Sequence, residues 1–262
     1  MLYSLARRLS LAVQNQPRGE YLIREAAMAF TKTMLSLLGF LRFIPLSRFH
    51  AKEGEPVIDL SSASVMARQV MEDAISFFYL SEPGITQKQK KLREAAWYFR
   101  GAREATESAR FGNKSHPDLP AAEAGLNHLL QYFDEPETRE MLNSVKGGRK
   151  RIIERYKNRV LDDDEILERR GIQTEVYKLG HKVLSNFVHF SELSHRMLME
   201  TNADWEKSWK PFVPPTEYVA NFAAETIEAF LETFPQTRQL LSEHERTLVA
   251  NYRSWPPKVA QN

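Results

Sequence analysis

The sequence predicts an all-α fold, a multi-helix bundle of eight to ten helices with no significant sheet. Apolar residues recur at steps of three and four along most of the chain, which is the spacing of one helix face. The chain has only 11 Gly and 13 Pro among 262 residues, which is few for a chain rich in tight turns and disfavours an all-β sandwich or barrel. A composition with 42% hydrophobic and 27% charged residues excludes disordered and collagen-like classes.

The elements are delimited by this periodicity and by helix-ending residues. An N-terminal amphipathic helix within residues 1–19 has one apolar face, formed by Leu2, Leu5, Leu9 and Val13. Further helices are predicted over residues 20–43, 61–80, 87–110, 121–133, 137–145, 149–160, 173–200 and 216–234, and a last helix ends near Tyr252. Pro45 ends the second helix, Thr86 caps the fourth and Thr216 caps the helix that follows the prolines near 211–215.

These elements predict one large domain with appendages. The core spans residues 20–200, built from the helices at 20–43, 61–80, 87–110 and 173–200. Residues 201–215 form a connector rich in Trp and Pro, and residues 216–262 form a helical pair that packs on the core or makes a dimer surface. A homodimer is therefore one prediction for the assembly.

Composition also limits the function classes. The absence of Cys excludes disulfides, thiol catalysis and Cys-ligated zinc, and it fits a reducing, cytoplasmic location. The most apolar run, residues 34–46, is shorter than the roughly 20 residues of a membrane-spanning helix and contains Arg42, so no membrane association is predicted. Residues 86–160 carry 16 Lys and Arg against 10 Asp and Glu, and residues 161–262 carry 11 against 16. The excess positive charge of residues 86–160 indicates either binding to an anionic partner or neutralisation by the acidic segment 161–262 of the same fold.

Two helices have polar residues in unusual places. On a helical wheel, the helix at 61–80 is apolar nearly all round except for a narrow line with Arg68 and Glu72. Buried charges must be paired, so these two side chains are predicted to be largely buried and paired with each other or with the late helix. They form either a structural ion pair or a charged line facing a cavity.

The helix at 173–200 carries a stripe of polar residues that includes three of the seven His. The stripe contains Tyr177, His181, Ser185, His189, Glu192, His195 and Arg196. It is either a solvated face or a site, and His, Ser and Tyr are more typical of sites than of exposed helix faces. A di-iron centre needs a second Glu-x-x-His motif, which the sequence lacks, and no metal or cofactor is predicted.

The spacing Arg68-x-x-x-Glu72, followed by Tyr177 and Ser185-x-x-x-His189, resembles a bacterial family known as the domain of unknown function fifty-six seventy-seven. That resemblance covers about residues 60–200 and implies a helical bundle without an established activity. A more distant similarity is to HEPN domains, helical bundles that often dimerise and cleave RNA without metal through an R-x(4–6)-H motif. The nearest equivalent here, Ser185 to His189, has Ser in place of Arg and is one residue short. Two literal matches, Arg110…His116 and Arg238…His244, are as frequent as chance predicts.

The strongest nucleic-acid candidate is a run of seven basic residues and one acid over residues 146–159. Its basic residues are Lys146, Arg149, Lys150, Arg151, Arg155, Lys157 and Arg159.

Two hypotheses about function follow from the sequence. In the first, the protein is HEPN-like and binds or cleaves RNA or another phosphate-bearing ligand in stress response or phage defence, and any enzymatic activity is metal-independent and ribonuclease-like. Its site residues are Arg68, Glu72, Tyr177, Ser185 and His189. In the second, the protein is a non-catalytic helical adaptor or regulator that acts through protein contacts.

Overall fold

The computed structural model describes residues 1–13, 21–44, 60–112, 119–154, 159–188 and 212–254. Within these residues the chain forms twelve helices and no strand, which confirms the all-α prediction and slightly exceeds the predicted eight to ten helices. The α-helices are α1 (Leu2–Val13), α2 (Tyr21–Phe43), α3 (Leu60–Ser81), α4 (Gln87–Gly112), α5 (Leu119–Asp134), α6 (Pro136–Asn143), α7 (Gly148–Ile153), α8 (Asp163–Arg170), α9 (Thr174–Val188), α10 (Val213–Thr233) and α11 (Glu243–Arg253). A 3₁₀ helix, η1 (Pro235–Leu240), lies between α10 and α11.

The chain divides into two compact units. Unit 1 comprises Met1–Ser81 and Leu167–Asn262, and unit 2 comprises Glu82–Ile166. The sequence suggested a single core that included the helix at 87–110, but that helix (α4) belongs to unit 2. Apolar periodicity marks which face of each helix is buried, and it does not say which helices share a core.

In unit 1, α2 and α3 pack along their lengths, and α9 and α10 pack against α3. Three aromatic rings join α2, α3 and α10 at the centre: the Phe30 ring lies 5.7 Å from that of Phe77 and 4.0 Å from that of Phe230. All three rings are fully buried. The helix α10 is therefore central to unit 1 rather than an appendage on a core that ends near residue 200.

The start of α10 differs from the prediction. Thr216 does not cap the helix, because α10 begins at Val213 and holds Pro214 and Pro215 in its first turn. The first backbone N–H groups of a helix have no hydrogen-bond partner within the helix. A proline at one of these positions therefore causes no loss of a helical hydrogen bond. The Thr216 hydroxyl instead donates to the carbonyl of Phe212. Trp205 and Trp209 of the predicted connector lie outside the described residues.

The helix α1 packs on α2 through its predicted apolar face, where Leu2, Leu5 and Leu9 are buried. Among the described helices, α2 alone is long and apolar enough to cross a membrane. Its inward residues, including Phe30, Met34 and Phe40, are buried against protein in unit 1.

Unit 2 has its own core, made by α4, α5, α6 and α7. The Phe99 and Phe133 rings meet edge to face at 5.5 Å, and Leu142 and Ile152 are fully buried beside them. Gly147, in the turn between α6 and α7, has φ 85°, and Gly148, the first residue of α7, has φ 47°, a backbone region that favours glycine. The helix α7 ends at Ile153, earlier than the predicted 160.

Candidate functional site

The helix α3 presents Arg68 and Glu72 as an i,i+4 ion pair, with Arg68 Nη2 3.6 Å from Glu72 Oε1. The predicted pairing is confirmed. The prediction that both side chains are largely buried fits Arg68, which is 26% exposed, and is wrong for Glu72, which is 45% exposed. The polar line of α3 lies at the edge of its contact with α9, where water reaches one side of it, rather than within the core.

The helix α9 brings His181 to the same carboxylate. His181 Nε2 lies 3.7 Å from Glu72 Oε1, so a single oxygen faces both Arg68 and the imidazole. Both distances exceed that of a hydrogen bond, and the interaction is one of charge, which on the His181 side requires a protonated ring. The expectation that the α3 pair would also engage the late helix is confirmed by this contact.

Other residues of the α9 stripe surround His181. The Ser185 hydroxyl donates to the His181 carbonyl at 2.6 Å, a hydrogen bond within the helix. The Tyr177 ring lies 5.9 Å from the His181 ring and 6.0 Å from Phe222 of α10, and Tyr177 is buried. His189, predicted as the proton-transfer group, lies outside the described residues. The imidazole that the structure places beside Glu72 is His181, which shares the stripe with Tyr177 and Ser185.

The orientation of α9 differs from the one that the wheel predicted. On the wheel, Leu179, Leu184 and Phe187 lie on the apolar face. Leu184 and Phe187 are buried, whereas Leu179 is 58% exposed and Tyr177, from the polar stripe, is 7% exposed. Gly180 accounts for the difference, since a Cβ built there would lie 2.6 Å from the Tyr218 ring. The missing side chain lets α10 approach α9 on the side of Tyr177, and that side becomes the buried one.

We call Arg68, Glu72 and His181 the α3–α9 triad. Arg68 Nε is buried and has no hydrogen-bond partner among the described residues, which is uncommon in folded proteins. The triad combines a permanent cation, a carboxylate that positions it and an imidazole able to take or give a proton. These are the groups required to contact an anion and to transfer a proton next to it.

One acid on α3 was missed by the sequence analysis. Asp73 is 4% exposed, and it accepts hydrogen bonds of 2.8 Å from both Ser36 and Gln69. Lys32 Nζ lies 3.0 Å from Asp73 Oδ1, the oxygen that also accepts from Gln69. Asp73 therefore joins α2 to α3 within the protein and is fully satisfied there, in contrast to the half-exposed Glu72 beside it.

The basic run lies in unit 2, and each of its described side chains has a partner there. Lys146 pairs with Asp162 at 3.3 Å, Arg149 with Asp134 at 2.9 Å, Lys150 with Glu154 at 3.5 Å and Arg159 with Asp163 at 2.9 Å. Arg151 donates to the carbonyls of Arg159 and Leu161. Arg155 and Lys157 lie outside the described residues. The described part of the run is thus balanced by acids of the same unit.

A second polar cluster of unit 1 centres on Glu225 of α10, whose side chain is 8% exposed. Its Oε1 lies 3.1 Å from Arg253 Nε. Its Oε2 lies 3.8 Å from Arg170 Nε and has no hydrogen-bond partner within the part of the chain that the structure describes. Burial raises the pKa of Glu225 above its ordinary value and outweighs the opposing effect of Arg253 and Arg170. The sequence analysis placed this helix in a pair that packs on the core or makes a dimer surface, and it missed the buried position of Glu225.

Comparison with protein-family models, curated proteins and solved structures found no match to this chain.

Proposed function

We propose that the protein binds RNA, or another phosphate-bearing ligand, at the α3–α9 triad. The observation that carries the proposal is the state of Arg68, whose side chain is 26% exposed and whose Nη2 lies 3.6 Å from Glu72 Oε1, beyond hydrogen-bond distance. A guanidinium has five N–H donors in a planar fork, and its fit to phosphate oxygens is bidentate. A phosphate oxygen would give the exposed edge of the Arg68 guanidinium a hydrogen-bond acceptor that Glu72, at 3.6 Å, does not provide.

The roles follow from the distances. Arg68 contacts the phosphate and Glu72 orients Arg68 and His181. The buried Tyr177 ring and Ser185, whose hydroxyl donates to the His181 carbonyl, hold His181 in position. The proposal retains His189 as a proton-transfer group on the continuation of the stripe, and it adds His181 in the same capacity.

If the protein cleaves RNA, the step requires no metal. The ribose 2′-oxygen attacks phosphorus, an imidazole takes the 2′ proton, the bond from phosphorus to the 5′-oxygen breaks, and that oxygen gains a proton. Arg68 stabilises the additional charge on the phosphate oxygens in the transition state. The products are a 2′,3′-cyclic phosphate and a free 5′-hydroxyl.

The basic run is proposed to attract the ligand over longer distances. Its outermost lysines, Lys146 and Lys150, have side chains that are 77% and 66% exposed. Exposed ion pairs contribute only about 0–1 kcal/mol, so exchanging an aspartate or glutamate for a phosphate is inexpensive. Such contacts would add a salt dependence to binding without adding sequence specificity.

The biological setting belongs to the same proposal. The resemblance to HEPN domains leads us to propose a bacterial, cytoplasmic protein that acts in stress response or phage defence, with a homodimer as its assembly.

The alternative function is that of a non-catalytic helical adaptor. The observation that favours it is the pairing of all five described side chains of the basic run with groups of unit 2. In this case the triad is a structural link between α3 and α9, and replacing Arg68 has no effect on nucleic-acid binding.

Fluorescence anisotropy with a labelled single-stranded RNA tests the two functions. We expect Arg68→Gln to weaken binding about tenfold or more, the loss of one charge-assisted contact. The control is Arg24→Gln, which removes the same charge from an arginine of α2 that is 45% exposed. Equal binding by both variants would reject the triad as the site, and an absence of RNA binding by the parent would favour the adaptor.

A further inference from the structure

The helix α11 of unit 1 is mostly exposed to solvent. Of its eleven residues, Val249 is the one that is buried. One buried aliphatic side chain contributes little to docking, and an isolated helix of this length is marginal in water. The attachment of α11 therefore depends on its polar contacts.

Those contacts lie at the two ends of α11. Near its N-terminus, Glu245 receives two hydrogen bonds of 2.8 Å from Arg8 of α1. At its C-terminus, Arg253 pairs with Glu225 of α10 at 3.1 Å, and the Asn221 side chain donates to the carbonyl of Tyr252 at 2.9 Å. Both arginines are largely accessible, with exposures of 49% for Arg8 and 37% for Arg253.

Helix formation and docking share the carboxylate of Glu245. Its side chain accepts from the backbone N–H of Ser242 in a capping box, and it also accepts from Arg8. When the Arg8 contact is lost, the Glu245 carboxylate is released and holds the N-terminal cap of α11 less firmly. When α11 unfolds, the same carboxylate moves away from Arg8. The two events are therefore coupled, as in a cooperative local unfolding unit.

The contact at the other end covers polar groups of α10. Asn221 is 8% exposed and Glu225 is 6% exposed, and both are bonded to the last turn of α11. Glu228 lies one turn further along α10, with Oε2 3.9 Å from Arg253 Nη1. These three residues, Asn221, Glu225 and Glu228, form a polar strip on α10 that α11 holds in place through Arg253 and Tyr252.

We propose that α11 is a releasable strap, which undocks and unfolds as a unit while the other helices of unit 1 stay folded. Release exposes the polar strip of α10, including the carboxylate of Glu225. The trigger is any condition that weakens the two arginine contacts, of which ionic strength is the simplest. This inference goes beyond the proposed function and does not depend on it.

Hydrogen–deuterium exchange of the full chain, followed by mass spectrometry of peptides, tests the strap. In the parent, amides of α11 are expected to exchange at least about tenfold faster than those of α10, and to accelerate further between low and high NaCl concentrations. The variant Arg8→Gln with Arg253→Gln should accelerate α11 about tenfold at low salt and leave α2, α3 and α10 unchanged. The matched control is Arg7→Gln, which removes the same charge from the exposed arginine next to Arg8 on α1.

Two results would overturn the strap. In the first, α11 and α10 exchange at the same rate in the parent at both salt concentrations, which makes them one cooperative unit. In the second, the double variant accelerates α2, α3 and α10 as much as α11, which means that the two arginines stabilise the whole unit. The salt comparison uses the parent alone, so it decides the matter even where the double variant does not fold.

Discussion

Glu72 Oε1 on α3 lies 3.7 Å from His181 Nε2 on α9, and the same oxygen lies 3.6 Å from Arg68 Nη2. Two helices of unit 1 are thus connected through one carboxylate. The Glu72 side chain is 45% exposed, and those of its partners Arg68 and His181 are 26% and 34% exposed. The connection serves to position the two groups more than to stabilise the fold.

The first prediction concerns the stability contribution of Glu72. Glu72→Ala is expected to lower the free energy of unfolding by less than about 1 kcal/mol, the range of exposed ion pairs. The double variant Arg68→Met with Glu72→Leu should fold as well as the parent and lose RNA binding. Urea unfolding followed by circular dichroism measures the stability of both variants, and fluorescence anisotropy measures RNA binding by the double variant. A loss of several kcal/mol for Glu72→Ala would mean that the carboxylate is effectively buried.

The second prediction compares the stability contribution of Asp73 with that of Glu72, its neighbour on α3. Asp73→Ala should lower the free energy of unfolding by about 2–3 kcal/mol, because it leaves Ser36 and Gln69 without their acceptor inside the protein. Asp73→Asn should retain part of that stability, since its side-chain oxygen still accepts one hydrogen bond. The same urea experiment compares adjacent positions of one helix, and equal losses at 72 and 73 would contradict the structure.

The third prediction concerns two glycines inside helices. A Cβ at Gly180 would lie 2.6 Å from the Tyr218 ring, whereas a Cβ at Gly101 in α4 meets nothing within 4 Å. Gly180→Ala should therefore destabilise unit 1 by about 1–3 kcal/mol through overpacking. Gly101→Ala should stabilise α4 by up to about 1 kcal/mol, the difference in helix propensity. Thermal unfolding that shows a gain for Gly180→Ala would contradict the close contact of α9 with α10.

The fourth prediction is a pH dependence set by Glu225. Its folded-state pKa lies above the ordinary value of 4.5, mainly because of burial. The folded state consequently binds the proton more tightly than the unfolded state, and this group's contribution to stability is present below that value and is lost as the pH rises through the folded pKa. Glu225→Gln should lose less stability than the parent between pH 4.5 and pH 7.5. Parallel pH profiles of the two proteins in urea unfolding would show that Glu225 does not titrate in this range.

Local features of the fold follow directly from the sequence. The spacing of Leu2, Leu5 and Leu9 predicts the buried face of α1, and those side chains are buried. The proline at position 45 and the Pro83-Gly84 pair indicate where α2 and α3 end, since helix geometry is encoded in neighbouring residues. Such signals require no knowledge of what each helix packs against.

The site depends on contacts that are distant in the sequence. Asp73 finds Ser36 across 37 positions, and Glu72 meets His181 across more than one hundred, so no local pattern reports either contact. The buried side of α9 includes the apolar Leu184 and Phe187, and it also includes Tyr177, where the missing side chain of Gly180 lets the Tyr218 ring approach. The stripe of Tyr177, His181 and Ser185 lies on the helix that meets Glu72, and which residue of the stripe meets it depends on the position of α3.

The most direct test of the α3–α9 triad is photo-cross-linking of a 4-thiouridine-substituted RNA to the full chain, with the cross-linked peptides mapped by mass spectrometry. The account predicts cross-links in peptides from α3 and α9, and it predicts that Arg68→Gln removes most of them while Arg24→Gln leaves them unchanged. Cross-links confined to peptides of unit 2 between residues 136 and 159, or a pattern unaffected by Arg68→Gln, would contradict it.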